Sequence, residues 1–283
     1  MIEMIFLFSL ALIWILYATV SDLRSRDIPN WLNFSLIIFA LGFRFFYSLF
    51  DLNDFSFFYQ GLIGVGMFLI LGNIFYYCKV FAGGDSKLMI SLGAVLPIFP
   101  SFIQNIQVFL LFLFLFFVVG SIYGIFGSVY ISIKRLKEFR RGFSQLFLKN
   151  RKMLIVYSFF GILFLVLGFF AMPLFYFALF IFIFPYFYLF IRAVDEFCMV
   201  KEVSVSKLTV GDWLYKDVKV GRKMVRAKWE GLNEEEIKLL NKKKKVLVKY
   251  GIEFSPVFLI SFVLFWIFLG YKTFDFFLKA LGF

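Results

Sequence analysis

The chain has 283 residues, 62% hydrophobic and 23% aromatic, with a formal charge of +12. A soluble globular domain carries about 45–50% apolar residues, so this composition points to a polytopic helical membrane protein in a lipid bilayer, and the basic excess to topology and anionic lipid rather than nucleic acid. Histidine is absent and Cys78 and Cys198 are the only cysteines, which excludes Ser–His–Asp triads, Cys–His pairs, HExxH zinc sites, disulfide frameworks and cysteine-rich zinc sites.

Eight apolar segments follow one another at residues 2–20, 31–50, 57–77, 88–100, 106–133, 153–171, 174–191 and 254–271. A spanning helix needs roughly 20 such residues. Glu3, not a basic stretch, opens the first segment and no small-residue cleavage site follows it, so it reads as a retained span. Segment 88–100 reaches spanning length only if it begins near Asp85, and Met172-Pro173 divides one long apolar run in two. Connections 21–30, 78–87, 134–152 and 195–253 carry lysine and arginine, whereas 51–56, 101–105 and 172–173 carry none. This alternation implies basic connections in the cytoplasm and both termini outside. The expected fold is an all-α polytopic membrane protein of about eight transmembrane helices. A transmembrane domain fills 1–194, a small α+β cytoplasmic domain 195–253, and a last helix and tail 254–283.

Within 195–253, Val218, Val220 and Val225 flank Gly221-Arg222-Lys223, the pattern of a hairpin with a glycine turn. Asn233 followed by Glu234, Glu235 and Glu236 reads as an N-cap with acids in the first turn, and Glu234 is spaced to pair with Lys238. The lysines at 242–245 close that helix as a solvated end, and Val246-Leu247-Val248 reads as a returning strand.

Asp22 ends the first span and Asp85 begins the fourth, both on the face expected to be cytoplasmic. Taken singly, Asp85 is an N-cap after Gly83-Gly84 and Asp22 an interfacial charge. Together, in a chain without histidine, they are the candidates for catalysis, since ionisable groups near membrane depth default to function. Two carboxylates sharing a site cannot both ionise cheaply, so one keeps a proton near neutral pH while the other activates water. Gly83 and Gly84 allow a tight turn and close approach of a substrate backbone. Lys87 reads as a head-group anchor for the short fourth helix, Arg44 as a snorkelling residue, and Gly120 with Gly124 as a helix-packing face. Asp27 is the alternative to Asp22, less favoured by its spacing to Ile28-Pro29-Asn30.

The string Ser21-Asp22-Leu23-Arg24-Ser25-Arg26-Asp27-Ile28-Pro29-Asn30 resembles the aspartate-to-Ile-Pro-Asn signature of the type IV prepilin and archaeal preflagellin peptidases. Ala82-Gly83-Gly84-Asp85-Ser86-Lys87-Leu88 resembles their GxGD signature with its downstream lysine, Ala82 standing in place of the first glycine. The resemblance implies a GxGD-type membrane aspartyl protease with Asp22 and Asp85 at its two catalytic positions, supported by Pro29, Asn30, Gly83, Gly84 and Lys87. Its substrates would be precursor flagellins or pilin-like proteins, cut behind short basic leader peptides at the cytoplasmic face of the cell membrane. No metal or organic cofactor is implied. The Gly251-Ile252-Glu253-Phe254-Ser255-Pro256 stretch is similar to a C-terminal part of the preflagellin peptidases, with a looser match. Bacterial members often add two Cys-x-x-Cys pairs and an N-methyltransferase activity; neither is expected here. The apolar pair within 153–191 looks like an addition to the smaller archaeal enzymes.

Two rival readings remain at this level. A broader GxGD intramembrane protease, similar to presenilin or signal peptide peptidase, would show a Tyr-Asp pair and a Pro-Ala-Leu motif, but Ser21 precedes Asp22. A secondary transporter coupling ions through Asp22 and Asp85 would place them near the bilayer midplane on broken helices, in repeated halves. Here both acids lie at one edge and no repeat is evident.

Overall fold

The structure, a computed structural model, describes residues 2–52, 54–221 and 223–270. Arg222 of the expected hairpin turn and Tyr271 of the expected last span lie outside the described residues. By contacts the chain divides into two compact units, one running to Tyr123 and resuming at Glu253, the other Gly124–Ile252.

The first unit is helical. It contains α1 (Ile2–Ser25), α2 (Asn30–Tyr47), which continues as a π-helical turn, α3 (Ser56–Tyr77), α4 (Gly83–Leu92), the first part of α5 (Phe102–Lys134), and a C-terminal helix, Ser255–Gly270. In α1 the buried residues Leu7, Ala11, Ile15 and Ala18 recur at every third or fourth position, so one stripe faces the core while Ile5, Ile13 and Leu16 stay exposed. α4 is different, because Ser86, Leu88, Met89, Ser91 and Leu92 are buried around most of its circumference. The core is completed by Leu32 and Leu36 of α2, Phe68 of α3, Phe112 and Phe116 of α5, and Phe258 and Phe262 of the C-terminal helix.

After α4 the chain is irregular yet buried from Gly93 to Ile98. Backbone groups in such a place must find partners inside the protein. Arg44, fully buried on α2, donates Nε to Ala94 O (2.8 Å), Nη1 to Phe57 O (3.0 Å), and Nη2 to the carbonyls of Val95 (3.1 Å) and Pro97. Its guanidinium also stacks on Phe57, 4.3 Å from the ring centroid. Gly61 leaves the room for it, since a Cβ there would meet Arg44 Cδ at 2.6 Å. Asn105 completes the satisfaction by accepting from the N–H groups of Ile98 and Phe99 and donating to Phe99 O. The expectation that Arg44 snorkels outward is therefore wrong: its fork fits several inward carbonyls that would otherwise be orphaned, which an interfacial position would not do.

The second unit contains the rest of α5, then α6 (Leu136–Lys149), α7 (Arg151–Leu167) and α8 (Met172–Ala193). Residues 134–152, expected as a connecting loop, are mostly the helix α6. Phe139, Phe143 and Leu146 recur at helical spacing and pack with Leu154, Leu189 and Ala193, while Lys137, Arg140, Arg141 and Lys149 are exposed. Pro173 lies in the first turn of α8, where its missing N–H costs nothing. A five-residue π-helical turn leads into β1 (Val200–Ser204), β2 (Trp213–Leu214), β3 (Val218–Val220), β4 (Lys223–Val225), α9 (Glu234–Leu240) and β5 (Lys245–Lys249). The C-terminal helix Ser255–Gly270 is accordingly α10.

The expected hairpin is present, with Val218 opposite Val225, Val220 opposite Lys223, and Gly221 at φ +60°. The capping box on α9 also forms: Asn233 Oδ1 accepts Glu236 N–H at 2.8 Å and Glu236 Oε2 accepts Asn233 N–H at 3.2 Å. The long-range ion pair of that turn is Glu236 with Lys228, at 2.7 Å. The strand expected at 246–248 is the centre of a three-stranded antiparallel sheet, β1-β5-β2, and Lys245 belongs to it rather than to the helix end.

By length and composition, five described helices suffice to cross a membrane: Ile2–Ser25, Asn30–Phe50, Ser56–Tyr77, Phe102–Lys134 and Met172–Cys198. α6 and α7 together, bent by 72°, would make a sixth. The protein is thus mostly helical with several apolar spans and a small sheet region. α4, the fourth expected span, has 10 residues and is too short, at about 15 Å, to cross a hydrocarbon core of about 30 Å.

Candidate active site

The first motif is split by the end of α1. Asp22 lies in the last turn of that helix, which Arg26 closes in the left-handed region at φ 56°, its N–H bonding Asp22 O at 2.8 Å. Ser21 Oγ donates to Asp27 O at 2.8 Å and tightens the following turn. Pro29, with φ −58° and ψ 134°, is the extended residue before α2, and Asn30 is that helix's first residue. The second motif opens α4. Ala82 is the N-cap, Gly83 and Gly84 are helical, and Asp85 is in the first turn with its carboxylate directed back at the Ala82 N–H. Asp85 is therefore a first-turn acid rather than the cap itself, and the glycines do not form a separate turn.

Two contacts bring the motifs together. Ile28 packs against Gly84, where an added Cβ would come within 3.2 Å of Ile28 Cβ. Lys87 Nζ donates to Asn30 Oδ1 at 2.6 Å. A Cβ on Gly83 would find only Tyr76, at an ordinary 3.9 Å, so Gly84 is the more tightly packed of the two glycines. Lys87, expected as a head-group anchor, ties α4 to the start of α2.

With the motifs joined, Asp22 and Asp85 become electrostatic neighbours, each half-buried. Asp85 lies outside the spans named above. Burial first, and then the Asp22 charge, push its carboxyl up to about 7. That is the behaviour of two acids in one site, of which one holds a proton near neutral pH.

Sequence reasoning missed most of the surroundings. Glu253 Oε1 pairs with Arg26 Nη2 at 2.7 Å, and both charges act on Asp22. Tyr123 of α5 feels Glu253 and Asp22. Ser255, the first residue of α10, is wholly buried beside Asp22. The signal available for Glu253 and Ser255 was the stretch from Gly251 to Pro256, noted only as a loose match. Asp27 is exposed, and Gly120 packs as expected, since a Cβ would meet Phe254 at 2.9 Å, whereas Gly124 has open space around it.

Two half-buried carboxylates at the ends of packed apolar helices are the arrangement that the class of paired-acid hydrolases uses. Comparison with known sequences narrows that class. Residues 9–125, which include both motifs, match the Type IV leader peptidase family. The chain is 33% identical over 90 residues to the preflagellin peptidase of Methanocaldococcus jannaschii, covering 32% of this chain and 38% of that one. It is 34% identical over 85 residues to the preflagellin peptidase of Methanococcus maripaludis, covering 30% and 36%. Against the prepilin peptidase EppA of Methanothermobacter thermautotrophicus the identity is 33% over 103 residues, covering 36% and 26%. No solved structure matches. The matched stretches span between about a quarter and two fifths of the curated relatives' length, and the family match at residues 9–125 includes Asp22 and Asp85. Over that part the chain resembles the type IV prepilin and archaeal preflagellin peptidases, as its two motifs indicated.

Proposed function

We propose that the chain is a membrane aspartyl endopeptidase that removes short basic leader peptides from archaeal preflagellin or prepilin-like precursors at the cytoplasmic face of the cell membrane. The observation that carries this reading is the meeting of the two motifs, which sets Asp22 against Asp85. The cytoplasmic placement of the pair rests on the lysine and arginine of connections 21–30 and 78–87, against none in 51–56, and on the same rule the lysine-rich 195–253 is a cytoplasmic domain.

Hydrolysis at such a pair balances without a cofactor. The ionised carboxylate takes a proton from water as the water oxygen bonds to the scissile carbonyl carbon. The protonated carboxyl gives its proton to the carbonyl oxygen, forming a neutral gem-diol. The C–N bond then breaks as the first carboxyl passes its proton to the leaving nitrogen. One diol hydroxyl returns a proton to the second carboxyl, which restores the starting charge state.

Purified protein in liposomes, incubated with a panel of preflagellin and prepilin precursors, tests the reading by mass spectrometry of the products. Asp22→Asn and Asp85→Asn are each expected to lower cleavage by roughly a thousandfold, within the range for loss of a general acid or base. Asp27→Asn should remain active. Substantial cleavage by either of the first two variants would remove this pair from the chemistry.

A further inference from the structure

Within the second unit, α6 has one packed face and one basic face. Gly142 and Leu146 are buried, and Phe139, Phe143 and Leu146 pack with Leu189 and Ala193 in the last turns of α8. Lys137, Arg140 and Arg141, spaced three and four apart, lie together away from that stripe, and all are exposed. Lys149, Arg151 and Lys152 are exposed at the C-terminal end and just beyond it. Among the described residues none of these cations is paired with an acid. The acids at the end of α8 are committed elsewhere, Glu196 to Arg192 at 2.6 Å and Asp195 to Lys249 at 2.7 Å. Glu138 is the sole acid of α6.

Packing also sets the depth of the basic face. α8 is apolar until Arg192, Asp195 and Glu196, so its last turns are where a spanning helix leaves the hydrocarbon. α7 lies antiparallel along α8, with Gly161 against Phe182 and Phe164 beside Phe177. α6 is bent from α7 by 72°. A helix turned that far from its apolar neighbours runs close to the membrane plane, at head-group depth. Leu136 and Phe147, exposed on its flank, then meet the upper acyl chains while the cations meet phosphate.

We propose that α6 is an interfacial helix whose Lys137, Arg140 and Arg141 bind the phosphates of anionic phospholipid head groups. The two arginines offer planar forks that take phosphate oxygens in pairs, and Lys137 adds a point charge beside them. The positive-inside rule accounts for the side of the membrane on which this connection lies, but it does not require cations gathered on one face of a helix whose back is packed. The site lies outside the stretch, residues 9–125, that matches the leader peptidase family, and it holds whether or not the chain cleaves precursors.

Native mass spectrometry of the full-length protein in neutral detergent, titrated with phosphatidylglycerol or phosphatidylcholine, tests the proposal. The wild type should retain phosphatidylglycerol in preference to phosphatidylcholine. Raising the ammonium acetate to about 1 M, where screening acts within about 3 Å, should abolish the preference. Lys137→Gln, Arg140→Gln and Arg141→Gln combined should weaken phosphatidylglycerol binding about a hundredfold, at about fivefold per cation. Lys242→Gln, Lys243→Gln and Lys244→Gln combined, which remove the same charge elsewhere, should bind as the wild type does. If the first triple variant fails to fold, Arg141→Gln alone should weaken binding about fivefold. In bilayers, a spin label on Ser144→Cys, with Cys78 and Cys198 replaced by alanine, should lie at phosphate depth by power saturation. Equal retention of the two lipids by the wild type, equal loss in the two triple variants, or a label wholly in water overturns the proposal. Full competition by glycerol phosphate at equal concentration would make this a site for soluble phosphate and overturn the lipid assignment.

Discussion

The two ends of α4 each meet an ionisable group, Asp85 in its own first turn and Arg44 from α2. At its N-terminal end Asp85 is half-buried, has one backbone N–H directed at it, and faces a second acid. At its C-terminal end Arg44 is fully buried and donates to four carbonyls, three of them in the turn that follows the helix. Both signs suit the helix dipole, positive at the start and negative at the end. What separates them is how completely each charge is used. Arg44 is spent on backbone carbonyls and has no access to solvent, so it belongs to the architecture. Asp85 keeps acceptor capacity, solvent access and a like-charged neighbour, which is the condition for moving protons. Burial of a charge in an apolar helix is therefore not by itself a sign of chemistry; incomplete satisfaction beside a second ionisable group is.

Exchange of each charge for a neutral residue should separate the two ends most widely. Asp85→Asn should lose cleavage by roughly a thousandfold and keep its helix content by circular dichroism, because asparagine still accepts the Ala82 N–H. Arg44→Met should do the reverse of a clean active-site change: each carbonyl left unpaired costs about 1–3 kcal/mol, and thermal unfolding in detergent should fall markedly. Arg44→Lys should recover only part of the loss, since a single ammonium cannot reproduce a planar fork. An Arg44→Met protein as stable as the wild type would erase the contrast between the ends.

The pH dependence sharpens the comparison from the acidic side. An acid raised to about 7 keeps its proton below that pH and gives it up above, so cleavage should fall as pH rises through about 7. It should fall again in acid, when the second carboxyl also protonates, and the bell belongs to the pair as a unit. Rates measured across that range, with protein integrity checked at each pH, would show it. A profile flat through pH 7 would contradict a shared proton.

The smallest expected effect is at the tie between the motifs. Lys87→Met removes the 2.6 Å hydrogen bond to Asn30 and should lower kcat only about threefold, as befits one partly exposed hydrogen bond whose neighbours still pack Ile28 on Gly84. A loss as large as that of Asp85→Asn would mean that Lys87 acts on the pair directly.

Much of this molecule was legible before its fold. The apolar runs that became α1, α2, α3, α5 and α8 needed only composition and length, because a helix in lipid satisfies its own backbone. The β3–β4 hairpin and the Asn233 capping box were readable because their partners lie within a few residues. The two aspartates stood out because a chain without histidine has few ways to move a proton, and their motifs carried a family resemblance. Tertiary structure alone decided the rest. It made α4 an encased helix rather than a span, turned Arg44 inward, joined Asn30 to Lys87, set β5 between β1 and β2, and brought Ser255 to Asp22 across more than two hundred residues. Each of those depends on groups distant in the chain whose polar atoms must be satisfied together once water is excluded, and no local pattern encodes which distant partner will be there.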